Sequence, residues 1–124
     1  MSILFEPLSL GNVPIRNRFV HSATYEGLAA EGGEVTDALV NRYRRLARGE
    51  VGLVIPGGLH VHPLGRSSWP QAGIDRDDLI PGLRQIVDAV HQEGGEIVFQ
   101  LLSPFYNERR DGWGGSEENR FRFL

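Results

Sequence analysis

Three short β-forming runs alternate with two amphipathic helical stretches, and this alternation narrows the fold of the chain more than any other feature. The runs are Arg18-Phe19-Val20-His21-Ser22-Ala23, Val51-Gly52-Leu53-Val54-Ile55 and Glu96-Ile97-Val98-Phe99-Gln100-Leu101. The middle run is almost wholly apolar between glycine and proline, as expected of a strand covered on both faces in a parallel sheet. Between the first two runs, Leu39, Val40, Tyr43, Leu46 and Ala47 recur at helical spacing, with Thr36 placed to cap the start and Gly49 to stop the end. A second helix begins near Asp77-Asp78, carries Leu79, Ile80, Leu83, Ile86, Val87 and Val90 on one face, and stops at Gly94-Gly95. Strand, helix, strand, helix, strand, each joined by a right-handed crossover, predicts an α/β fold with a parallel sheet. Spacing alone leaves both an open doubly wound sheet and the start of a barrel. No G-x-G-x-x-G follows the first strand, which argues against a dinucleotide-binding sheet.

Outside this core pattern, Leu8 to Ile15 reads as a small hairpin around Gly11-Asn12. A long loop, 57–75, holds Pro63, Gly65 and Pro70, and loops of such length in compact domains are usually functional. The 124 residues fit one domain, 1–124, and the balance of 40% hydrophobic residues with a net charge of -3 is that of an ordinary globular protein. Without cysteine there is no disulfide framework, thiolate metal site or cysteine nucleophile. No basic leader precedes an apolar stretch and no run nears the roughly 18 apolar residues of a membrane span, so the expected location is cytoplasmic. Arg42, Arg44, Arg45 and Arg48 lie on a helix whose other face is apolar, which reads as a solvated face and not as a nucleic-acid site. His60-x-His62 follows the second strand, where alternate residues of an extended segment point the same way; this is the basis of a rival reading as a metal-dependent barrel hydrolase. With no neighbouring carboxylate or third ligand, loop surface is the preferred reading, and no metal is expected.

In order and spacing, Asn17 to Gly27, Gly52-Leu53-Val54-Ile55, Asp88-Ala89-Val90-His91 and Phe99-Gln100-Leu101 resemble the N-terminal part of the Old Yellow Enzyme family of NAD(P)H:flavin oxidoreductases. A second block, Leu102 to Phe123, is similar to that family's S-P-x-x-N-x-R-x-D-x-Y-G-G-S-x-E-N-R-x-R-F pattern, with Trp113 in place of the tyrosine. The resemblance implies a partial (β/α)8 TIM barrel: strands one to three over 1–101, joined to a displaced loop and helix start over 102–124. The family pattern comes after a later strand, so the direct join near Leu101 implies an internal deletion, together with truncation of the barrel after Leu124. A full barrel takes about 250 residues.

By the same resemblance the chain would use FMN, with NAD(P)H as reductant, to reduce an activated alkene such as an α,β-unsaturated carbonyl. Ser22, Ala23, Thr24 and Tyr25 would line the flavin, Gly58 would leave room beside the ring, and Gln100 would meet the pyrimidine edge, where an amide donates and accepts at once. The family's His-His or His-Asn pair and its acid tyrosine fall in the missing block, so no catalytic residue is assigned; Tyr25 and Tyr106 stand elsewhere. The phosphate loops of such barrels come after the last two strands, so the chain alone is expected to hold FMN weakly. The alternative is a barrel fragment without activity, self-associating through the strand edges at Arg18 to Ser22 and Glu96 to Leu101.

Overall fold

The computed structural model describes residues 2–103, so the second block beyond Ser103 lies outside the described residues. The chain opens with an antiparallel hairpin of β1 (Leu8–Leu10) and β2 (Val13–Ile15), turning at Gly11-Asn12 as expected. Strand β3 (Val20–His21) comes next, then helix α1 (Asp37–Arg48), β4 (Leu53–Val54), β5 (Leu59–His60), α2 (Ile80–Gln92), β6 (Glu96–Ile97) and β7 (Leu101–Leu102). Strands β3, β4 and β6 form a parallel sheet in that order, which is also their order in the chain.

Both helices pack on one side of this sheet. Leu39, Val40, Tyr43 and Ala47 of α1 and Leu83, Ile86, Ala89 and Val90 of α2 join Val54, Leu59 and Ala72 in a single buried cluster. Each such aliphatic side chain contributes about 1.5–3 kcal/mol when fully buried. Two crossovers on one side, with strands added in sequence order, make a singly wound sheet; the doubly wound alternative, with helices on both faces, is set aside.

Thr36 caps α1 as the sequence predicts, its hydroxyl oxygen accepting the Leu39 N–H at 3.2 Å. The two helix ends differ. Both close with the paired bonds of a Schellman turn, Glu50 N–H to the Ala47 carbonyl and Val51 N–H to Leu46 in α1, Gly94 N–H to His91 and Gly95 N–H to Val90 in α2. In α2 the left-handed position falls on Gly94 (φ 76°), whereas in α1 it falls on Glu50 (φ 68°) and Gly49 sits one residue too early with φ -74°. Gly49 therefore caps the helix without supplying the left-handed residue.

The loop expected over 57–75 also needs correction, because its first residues extend the sheet. Leu59 and His60 pair in parallel with Leu101 and Leu102, and His60 bridges to Gly73. At the opposite end of the strands, Arg16 ties the helix C-termini together. Its guanidinium donates to the carbonyls of Glu93 (2.7 Å), Val51 (3.1 Å) and Ala47. A cation there also complements the negative ends of both helix dipoles. Buried Asn17 donates to the Glu50 carbonyl at 2.6 Å and accepts the Phe19 N–H at 3.1 Å.

Candidate functional site

Parallel pairing puts the C-terminal ends of the three strands on one rim. In register, Val20, Leu53 and Glu96 share one face while His21, Val54 and Ile97 share the other. The second face is the helix side: Val54 and Ile97 belong to the core cluster, and the His21 ring meets Tyr43 edge-on at 6.4 Å. Ile97, Phe99 and Leu101 all pack toward that cluster. By alternation Val98 and Gln100 lie on the opposite face, where Val20 and Val98 are each 49% exposed.

The residues singled out in sequence meet on this rim. Glu26 Oε1 accepts the Gly57 N–H at 2.7 Å, and Leu59 N–H donates to the Gln100 carbonyl at 2.8 Å, so all three strand ends are joined. Thr24 folds its hydroxyl onto the Ser22 carbonyl at 3.1 Å, and Tyr25 is half exposed. The N–H groups of Ala23, Thr24, Tyr25 and Gly58 make no hydrogen bond to any other described residue, and neither does the half-buried Gln100 amide. Thr24 and Tyr25 are exposed and Ala23 and Gly58 half-buried, so this row of donors stands at the solvent-facing strand ends, open to a ligand.

Gly58 is glycine for want of space and not for its torsion angle. It is not among the left-handed glycines, and a Cβ there would stand 2.5 Å from Leu102 Cγ. The group that fills its missing side chain in this structure is Leu102. The histidines do not form a shared site. His60 is fully buried and His62 is exposed at a turn, where its Nδ1 accepts the Leu64 N–H at 3.2 Å, so His60 is not loop surface. Among the described residues no group of three or more His, Asp or Glu is placed to share a metal ion.

Instead, the His60 ring is wedged between Gly33 and Gly73, whose Cβ atoms would lie 2.9 and 2.5 Å from its Cε1. Its Nε2 stands 3.2 Å from Asp75 Oδ1 and 3.3 Å from Arg66 Nε, while Nδ1 is buried without a partner. Burial, and then the charge of Arg66, push its pKa below the usual histidine value against the pull of Asp75. Burial and Arg66 thus favour the neutral ring. No local pattern in the sequence marked Glu26, Gln71, Asp75 or Arg16, whose partners lie on other elements.

Residues 3–103 match the family described as NADH:flavin oxidoreductase / NADH oxidase. The chain belongs to this family. It is 43% identical over 101 residues to a metal reductase of Desulforamulus reducens, a match covering 82% of this chain and 15% of that protein. To an N,N-dimethylglycine/sarcosine dehydrogenase of Chromohalobacter salexigens it is 38% identical over 116 residues, covering 90% of this chain and 16% of the relative. Among solved structures it is similar to a 2-naphthoyl-CoA reductase (TM-score 0.78, 30% identity, 80% of this chain and 15% of that one). It is also similar to Old Yellow Enzyme from Pichia sp. AKU4542 (TM-score 0.76, 26% identity, 81% and 26%).

FMN and NAD(P)H are the cofactors that go with this family. The rim offers unpartnered backbone N–H groups and one amide, the donor and acceptor types that the carbonyls and alternating groups of a flavin pyrimidine edge call for. Among the described residues no helix is long and apolar enough to cross a membrane.

Proposed function

We propose that this chain supplies the ring-binding wall of an FMN site in an NAD(P)H:flavin oxidoreductase, and that the described residues are the first three β/α units of a (β/α)8 barrel. One observation carries the reading: the row of unpartnered N–H groups from Ala23 to Tyr25 and at Gly58, joined by the Gln100 amide, on the rim where such barrels keep their active sites. Ser22, Ala23, Thr24, Tyr25, Gly58 and Gln100 would hold the isoalloxazine. The flavin supplies hydride chemistry; the protein orients it and tunes its electronics. The substrate class is an activated alkene such as an α,β-unsaturated carbonyl, and the donors that would bind its oxygen are not assigned among the described residues.

Anaerobic addition of NADH or NADPH to the chain saturated with FMN tests this. Bleaching of the visible band of protein-bound flavin is expected; bound flavin that neither nicotinamide bleaches would contradict the oxidoreductase reading. A second reading is favoured by the sheet edges, since β3 and β6 each pair on one side only among the described residues. Under it the chain is an inactive barrel fragment that self-associates through those edges. Sedimentation showing oligomers, with no bleaching, would select it.

A further inference from the structure

We propose that Glu26 and Gln71 are positioning residues that lock the peptide between Gly57 and Gly58 in one orientation toward the flavin; this rests on the flavin reading above. A peptide flanked by two glycines turns over more easily than any other, because neither neighbour has a Cβ to oppose the rotation. Here it is gripped from both ends. On one side the Gly57 N–H is shared between Glu26 Oε1 at 2.7 Å and the hydroxyl of buried Tyr43 at 3.1 Å. On the other, the Gly58 carbonyl accepts from Gln71 Nε2 at 2.6 Å.

The Gln71 amide has no freedom to reverse. It is 5% exposed, and its Oε1 accepts the Ser67 N–H at 2.9 Å, so its NH2 is left facing Gly58. Space reinforces the grip, since a Cβ on Gly57 would lie 2.6 Å from Glu26 Oε2 and 2.7 Å from the Thr24 carbonyl. Between the two clamped groups, the Gly57 carbonyl and the Gly58 N–H bond to no other described residue. Side chains from two separate loops thus fix a peptide whose own polar groups are left free. The clamp decides which of them meets the ligand, so a flavin binds without first having to order the strand end.

The test uses the full chain, riboflavin and FMN as probes, and the variants Glu26→Ala and Glu26→Gln. Glu26→Ala removes the acceptor while Tyr43 still holds the Gly57 N–H, so the melting temperature should move little. The affinity for either flavin should fall about tenfold, and the Gly58 amide should show conformational exchange in NMR relaxation of the ligand-free protein. Glu26→Gln keeps a carbonyl oxygen at the same place and should restore affinity to within about twofold of wild type. Wild-type affinity in Glu26→Ala overturns the clamp alone, as does a Glu26→Gln loss as large as that of Glu26→Ala. A wild-type chain that binds neither flavin overturns the flavin reading and the clamp with it.

Discussion

The two ends of the parallel sheet treat their backbone polar groups in opposite ways. At the N-terminal end, carbonyls left over at two helix ends and in the turn before β4 are collected by Arg16 and Asn17, so that end is finished by the protein itself. At the C-terminal end, the N–H groups of Ala23, Thr24, Tyr25 and Gly58 are left without described partners. Open donors on half-buried and exposed residues at one end, against a half-buried cation and a buried amide closing the other, separate the part of the fold that waits for a ligand from the part that holds itself together.

The largest expected effect is at the closed end. Replacing Arg16 by Met keeps much of the apolar stem and removes three charge-assisted bonds to carbonyls, so urea unfolding should show a loss of about 3 kcal/mol. Flavin affinity of the folded fraction should be unchanged. If affinity falls in step with stability, the two ends are not separable. At the open end the signs reverse: Gln100→Ala should weaken riboflavin binding about tenfold, near 1.4 kcal/mol, while stability moves by less than about 0.5 kcal/mol. A marked loss of stability would show that the amide serves the fold.

A smaller effect sharpens the closed end. Glu50 occupies the left-handed position that Gly94 fills in the other helix, so Glu50→Gly should raise stability by about 1 kcal/mol in the same urea assay. The smallest effect concerns His60, which lies at the open end yet is wrapped inside. Its pKa is lowered in the fold, so the unfolded chain takes up a proton first as pH falls. Stability should be full above the unfolded histidine value of about 6.5, decline below it, and level off beneath the folded value. His60→Gln should flatten that decline, measured as melting temperature against pH.

Much of the scaffold was legible in sequence because it depends on local periodicity. The α1 face, the Thr36 cap, the hairpin turn and the strand order come from residues a few positions apart. The strands proved shorter than their β-forming runs, since ladder pairing lapses after His21, Val54 and Ile97 and resumes only at Leu59 and Leu101. Of the predicted cofactor residues, those from Ser22 to Tyr25, Gly58 and Gln100 do converge on one rim. What sequence could not show was contact between distant elements. Glu26 reaches 31 positions to Gly57 and Arg16 reaches 77 to Glu93, and neither spacing carries a local signal. His60, expected at the loop surface, is instead buried, because its strand pairs with distant Leu101 and Leu102.

Fluorescence titration of the chain with riboflavin and with FMN tests the central claim most directly. If the free donors of the strand-end rim bind the flavin ring, both compounds should saturate, and with closely similar affinity because the described residues grip the ring and not the phosphate. Absence of saturable binding by either, or binding by FMN alone, would contradict a ring site on that rim.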